Sequence, residues 1–300
     1  MKKRGTAACL ALTHRQGPVQ TMLNLLLSLA GAYALICIGA RVLHRRFVYL
    51  PNCARCAPEK AGLIGIQEIV FKAADGVTLI AWYLPAKDGK PTLLYFIGNN
   101  GRTASRADKI RKFSRSGYGV FMLNYRRYGG SGGWPSEAKN IADAAAAYDQ
   151  LRARGVAASS IIAYGESLGS AVATHLALQR PARALVLEAP FTSAVDVGRQ
   201  SWWMLPLGLI MADQYRTLDR ISEVRVPVFL IHGSHDSITP VAHARRLYAA
   251  ANHPKRLVIL PKANHNNLYG HGAWERLRAS FEELAPRPVG AAHPLVEIAA

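Results

Sequence analysis

The stretch Ile161-Ile162-Ala163-Tyr164-Gly165-Glu166-Ser167-Leu168-Gly169-Ser170, continuing as a helix-forming run to residue 179, decides the fold. At its centre is a G-x-S-x-G pentapeptide with an apolar strand candidate in front and a helix candidate behind. In that context the pentapeptide has a physical meaning, because a sharp turn between strand and helix lifts a serine hydroxyl above the edge of a sheet. Gly165 and Gly169 lack a β-carbon, so the strained turn can form and the helix can pack closely on neighbouring strands. A chance glycine-serine turn has the same letters, and the surrounding chain has to distinguish the two.

Outward from this turn, short and nearly continuous apolar runs at 92–97, 119–124, 160–164, 184–188, 226–231 and 256–260 read as strands buried on both faces. Stretches able to form amphipathic helices lie between and after them, at 103–116, 136–154, 167–179, 241–250 and 273–283. That alternation predicts an α/β protein with a mostly parallel sheet and helices on both faces. Two further strands, 66–72 and 78–84, are joined at Ala74-Asp75-Gly76 as a hairpin. The segment 191–222 breaks the alternation with Ser201-Trp202-Trp203-Met204-Leu205-Pro206-Leu207 and reads as a short cap inserted at the sheet edge. The chain thus divides into a basic N-terminal segment (1–21), an apolar anchor (22–40), a juxtamembrane linker (41–60), one large domain (61–285) and a tail (286–300).

Three hundred residues with a net charge of +18 suit one such domain plus an appendage. The first 56 residues hold eight Lys and Arg and no Asp or Glu. No basic stripe with interleaved aromatics appears, so the charge suits anionic lipid headgroups rather than nucleic acid. Residues 16–40 carry no charge, and an apolar helix of that length spans the roughly 30 Å hydrocarbon core of a bilayer. A cleaved signal peptide competes, with small residues near 30–32 or 38–40 as its cleavage point. The length of the run and the Arg41, Arg45, Arg46 cluster directly behind it favour an uncleaved single-pass anchor. Basic residues flank both ends in nearly equal number, so the positive-inside rule selects neither orientation; a start at Met22 would tip it toward a cytoplasmic domain. Cys53 and Cys56 form a lone C-x-x-C, whereas a structural zinc site needs four ligands. We expect no metal and no cofactor.

A serine hydroxyl is a weak nucleophile at neutral pH and needs a base, itself oriented by a carboxylate. On this architecture the acid and then the histidine follow the serine along the chain. Asp236 follows the strand at 226–231, and His265 follows the strand at 256–260, both at the sheet edge where Ser167 must lie. His232, His235 and His271 are less suitably placed as the base, and Asp213 and Asp219 lie in the cap. Charge developing on a tetrahedral intermediate calls for two preorganised N–H donors. The backbone N–H of Leu168 is one candidate, and Asn99, in the Gly98-Asn99-Asn100-Gly101 loop after the strand at 92–97, is the other.

With these residues assembled, the chain resembles the Bem46-like branch of the α/β-hydrolase superfamily. The likeness is carried by Gly98-Asn99, by Asn124-Tyr125-Arg126-Arg127-Tyr128-Gly129-Gly130-Ser131, by Gly165-Glu166-Ser167-Leu168-Gly169, by Leu187-Glu188-Ala189-Pro190-Phe191 and by His232-Gly233-Ser234-His235-Asp236, and it runs from about 47 to 283. The resemblance implies an α/β-hydrolase fold with an eight-stranded sheet, Ser167 as nucleophile, Asp236 as acid, His265 as base, and Asn99 with Leu168 as oxyanion hole. Two departures stand out. Ile97 occupies a position where the family has histidine, removing a polar support beside the oxyanion loop, and Asn124 and Arg127 replace an acid and a glycine.

The resemblance implies hydrolysis of a small-molecule or acylated substrate. An anchored site with Trp202, Trp203 and Leu205 in the cap suits an acyl chain presented from a bilayer, although apolar cap residues serve equally as core. Two other readings stay open. An aminopeptidase needs an electronegative subsite for the substrate amine, for which Glu166 and Glu188 are the candidates. A membrane-tethered hydrolase fold used only for binding draws its support from Ile97.

Overall fold

The structure, a computed structural model, describes residues 17–101 and 103–283. Most of the basic segment (1–16) and the tail (286–300) lie outside the described residues. The described residues open with α1 (Pro18–Val48) and a short 3-10 turn, then β1 (Gln67–Lys72), β2 (Thr78–Leu84) and β3 (Thr92–Phe96). Next come α2 (Ala107–Arg115), β4 (Gly119–Asn124), α3 (Glu137–Ala153), β5 (Ile161–Glu166), α4 (Leu168–Gln179) and β6 (Ala184–Glu188). The cap holds three helices of one or two turns, α5 (Ala194–Arg199), α6 (Leu207–Ile210) and α7 (Leu218–Ile221). The chain closes with β7 (Val228–Gly233), α8 (Ala242–Ala250), β8 (Lys255–Leu260) and α9 (Ala273–Glu283).

The strands form one eight-stranded sheet in the order β1-β2-β4-β3-β5-β6-β7-β8. The β1–β2 and β2–β4 pairs are antiparallel, and the other five are parallel. Every residue of β3, β4, β6 and β7 is buried. This is why their sequences read as unbroken apolar runs instead of alternating ones. The edge strand β1 keeps one buried residue, Phe71. On one face α2 and the turn after it meet α9 through aromatic edges, Phe113 against Trp274 at 5.4 Å and Tyr118 against Phe281 at 5.2 Å. On the other, α3 packs on α4, α4 on α7 and α7 on α8.

Parallel registry brings the carboxyl ends of β3, β5, β6, β7 and β8 to one edge, with Phe96 opposite Gly165 and Glu166 opposite Glu188. The loops leaving these ends face one another, the expected location of a site in an open α/β sheet. Helix α1 is 31 residues long and runs past both ends of the 22–40 stretch. None of its residues is buried. Its length and composition suffice to cross a membrane, and a signal sequence has the same properties.

Candidate active site

Ser167 sits between β5 and α4 with φ 50° and ψ −115°. A non-glycine residue holds such a conformation only where its surroundings over-determine it. Here the constraint is visible on both sides. The Ser167 N–H donates to the Glu188 carbonyl at 2.8 Å. A β-carbon on Gly165 would meet the Gly169 carbonyl oxygen at 2.2 Å, and one on Gly169 would meet the Phe96 carbonyl oxygen at 2.0 Å. Both glycines are therefore dictated by close backbone approach, and α4 lies against β3 because of it.

His265 Nε2 lies 3.0 Å from Ser167 Oγ, and its Nδ1 lies 2.7 Å from Asp236 Oδ2. An ionised carboxylate only accepts, so Nδ1 carries the proton and Nε2 presents its lone pair to the serine hydroxyl. Asp236 is held in turn by backbone N–H groups of Ile238 (2.9 Å) and Thr239 (2.8 Å) and by the Thr239 hydroxyl (2.9 Å). His232, wholly buried, directs Nε2–H to the Thr239 carbonyl at 2.6 Å and lies 3.2 Å from Asp236 Oδ2. Burial opposes ionisation of Asp236, but hydrogen bonds from His232 and His265 and the Thr239 amide outweigh it, holding the carboxyl well below its usual range. His232 thus supports the acid from behind.

Around the serine, Gly98 approaches so closely that a β-carbon there would meet Ser167 Cβ at 3.3 Å. This puts the Gly98–Gly101 loop beside the hydroxyl, opposite the start of α4, where the first N–H groups of a helix have no intrahelical partner. Leu168 is the first residue of α4. The Asn99 carbonyl is fixed by the Leu50 N–H at 3.2 Å and the Tyr128 hydroxyl at 2.8 Å, and the Gly101 N–H donates back to the Leu50 carbonyl at 3.1 Å. The segment leaving α1 therefore clamps this loop. Ile97 is fully buried. The polar support it lacks is supplied by Arg106, which donates to the Asn100 carbonyl at 3.1 Å and to Glu166 Oε1 at 2.6 Å. Sequence reasoning gave no role to Arg106, Thr239 or Tyr128: the Arg106–Glu166 and Tyr128–Asn99 contacts join residues far apart in the chain, and Thr239, although only three residues from Asp236, carries no local mark of its part.

Beneath the serine lies a buried charge cluster. Lys109 reaches Glu166 at 2.8 Å and Glu188 at 2.6 Å, while the Tyr95 and Tyr164 hydroxyls donate to the same two carboxylates. Burial disfavours a charged Glu166, yet Arg106 and Lys109 prevail and hold it well below the usual carboxylate range. Two carboxylates face two cations, so the cluster is neutral. Both carboxylates suggested as an aminopeptidase's electronegative subsite are thus engaged by Arg106 or Lys109. Of the family departures, Arg127 keeps the left-handed backbone that glycine favours, at φ 68°, and lays its guanidinium 3.5 Å from the centre of the Trp134 ring. Asn124 accepts the Thr103 hydroxyl at 2.7 Å.

A cavity of about 720 Å³ opens above Ser167 and His265, walled by the cap and by α1. Trp202 and Leu205 line it. Trp203, expected beside them, is 74 % exposed and outside the wall, since successive residues of this turn point to different sides. The other wall, Ile36, Leu43 and Phe47 of α1, was not expected from the sequence. Among the described residues no group of three or more His, Cys, Asp or Glu is arranged to hold a metal. Cys53 and Cys56 are unbridged. Asp213 accepts Arg45 at 2.9 and 3.3 Å and the Tyr49 hydroxyl at 3.0 Å, which docks α1 onto the cap.

Comparison with known proteins agrees with this architecture. The serine aminopeptidase S33 family of hydrolases matches residues 90–215. The chain is 40% identical over 247 residues to the uncharacterized protein Rv2307c of Mycobacterium tuberculosis, covering 80% of this chain and 88% of that one. It is 32% identical to the alpha/beta hydrolase domain-containing protein WAV2 of Arabidopsis thaliana, covering 79% of this chain and 86% of the relative. The fold is similar to that of the Pyrococcus furiosus esterase Pf2001, with a TM-score of 0.63 at 19% identity over 78% of this chain and 95% of the esterase. The chain belongs to the α/β-hydrolase family.

Proposed function

We propose that this protein is a membrane-anchored serine hydrolase of the Bem46-like branch, cleaving carboxylic esters or thioesters through an acyl-enzyme. The observation that carries the reading is the unbroken line Asp236–His265–Ser167, at 2.7 and 3.0 Å, ending on a strained serine that faces an apolar cavity. Ser167 Oγ attacks the carbonyl carbon as His265 Nε2 takes its proton, and Asp236 stabilises the resulting imidazolium. The oxyanion is received by the N–H groups of Leu168 and Asn99. The tetrahedral intermediate collapses as His265 returns the proton to the departing alcohol or thiol. Water, activated by the same histidine, then releases the acid.

In this reading 22–40 anchors the chain, 61–285 is the catalytic domain, and 191–222 is its cap. The composition of the cavity wall, which includes Trp202, Leu205 and Phe47, supports an acyl substrate. Neutralisation of Glu166 and Glu188 weighs against a peptidase selecting a free amine. The aligned triad weighs against a purely binding protein. Labelling with a fluorescent fluorophosphonate tests the chemistry: wild type reacts, and Ser167→Ala and His265→Ala do not. Nitrophenyl esters of increasing chain length test the substrate class, with turnover rising beyond acetyl; a flat profile that Trp202→Ala leaves unchanged would remove the acyl preference.

A further inference from the structure

The registry between α1 and the cap carries information about depth. The Tyr33 hydroxyl donates to the Met204 carbonyl at 2.8 Å, and Arg41 donates to the Ile210 carbonyl at 2.9 Å. The cap therefore runs alongside α1 between these two residues. They are eight positions apart, about 12 Å of helix, and Tyr33 lies inside the apolar stretch 22–40 while Arg41 is the first charge after it. From 200 to 212 the cap carries no charged residue. Trp202, Trp203, Met204 and Leu209 are 52, 74, 68 and 82 % exposed, an apolar surface continuous with the unburied face of α1. Ile36 and Leu43 line the cavity yet stay exposed at 58 and 41 %. The cavity thus opens beside α1, with Ile36 on its rim, about 7 Å toward Tyr33 from Arg41.

The geometry points to a cap that is sunk into one leaflet of the bilayer. Trp202, Trp203, Met204 and Leu209 sit among acyl chains, and the mouth of the cavity opens sideways into the hydrocarbon and not into water. If 22–40 spans the roughly 30 Å core, Tyr33 and the Met204 carbonyl beside it lie near mid-bilayer, and Ile36 lies below the headgroups. Arg41, Arg45 and Arg46 then fall at the interface, where long cationic side chains reach the headgroups. An amphiphile enters from the leaflet with its acyl chain along Ile36, Leu43 and Phe47, and its ester carbonyl meets Ser167 without the chain crossing water. This route rests on the hydrolase reading; the embedding of the cap does not.

The test uses the full chain in phosphatidylcholine vesicles. Lipids brominated on the acyl chain are expected to quench a component of tryptophan emission that aqueous iodide does not reach, and Trp202→Phe/Trp203→Phe is expected to abolish it. Trp134, exposed and remote from the cap in sequence, supplies the iodide-sensitive background. Cap tryptophans open to iodide and blind to brominated lipid would overturn the embedding, as would mass spectrometry showing α1 removed. For the route, Met204→Asp/Leu209→Asp is expected to slow hydrolysis of a long-chain ester held in the vesicle by about tenfold or more, since a charge in the leaflet is strongly disfavoured. Hydrolysis of a soluble short-chain ester by the same variant is expected to match wild type. Equal rates on both substrates would overturn the lateral route. Wild-type protein that neither labels with fluorophosphonate nor cleaves the soluble ester would refute the hydrolase reading, and the lateral route with it, while quenching still decides the embedding.

Discussion

The sheet edge that holds Ser167 and the cap that overhangs it are only a cavity's width apart and are held by different forces. At the edge, the carboxylates are held by many polar partners: Asp236 accepts from two amides, a hydroxyl and the His265 imidazole, and Glu166 from Arg106, Lys109 and Tyr95. In the cap, short helices lie against α1 through a few hydrogen bonds and one half-exposed ion pair, and large apolar side chains remain uncovered. The contrast teaches where rigidity is needed. On the proposed reading, a proton relay tolerates little error in distance, whereas a surface that meets flexible acyl chains needs apolar area and little else.

Substitutions should divide along the same line. If Ser167 is the nucleophile, as proposed, Ser167→Ala is expected to lower turnover of a nitrophenyl ester by about 10⁶, as loss of the nucleophile does in a serine protease. A variant retaining a tenth of wild-type activity would end the assignment. Asp236→Asn keeps the shape but lets the neighbouring histidine take the wrong tautomer, and a fall of about 10⁴ is expected with fluorophosphonate labelling slowed in parallel. Glu166→Gln leaves Arg106 facing a neutral partner and should cost about 3 kcal/mol in urea unfolding, with activity lost as the Gly98–Gly101 loop loosens.

The folded pKa of Glu166 lies below its unfolded value, so its contribution is complete above the ordinary carboxylate range and is lost as pH falls through the folded value. Stability of the wild type should therefore decline more steeply below that range than stability of Glu166→Gln. The smallest effect belongs to the cap: Arg45 is half-exposed, and Arg45→Ala should change global stability by no more than about 1 kcal/mol. A loss there as large as at Glu166 would show that the cap is part of the rigid core.

Much of this was legible in the chain because local chemistry marks it. The strands at 119–124 and 184–188 coincide with β4 and β6 residue for residue, since a strand buried on both faces announces itself as an apolar run, and the hairpin arm at 78–84 coincides with β2 because its turn residues mark where it starts. Helix boundaries were close for the same kind of reason, Ser136 capping α3 by accepting the Lys139 N–H. Ser167, Asp236 and His265 could be placed at one edge from the sequence because the order of elements fixes which loops share it. Trp203 shows the limit: its neighbour Trp202 faces the cavity, and nothing local says which of two adjacent tryptophans turns inward.

What the sequence determined by itself is the fold class, the serine turn and the apolar helix ahead of the domain, because each depends on residues close together in the chain. Only the tertiary structure decided that Arg106 takes over the support Ile97 does not give, that Glu166 and Glu188 are neutralised by Arg106 and Lys109, and that α1 forms one wall of the cavity. Most of the contacts involved join residues far apart in the chain, such as Lys109 with Glu166, 57 positions apart, and Arg45 with Asp213, 168 apart. Local periodicity has no memory of such distances; the packed sheet sets them.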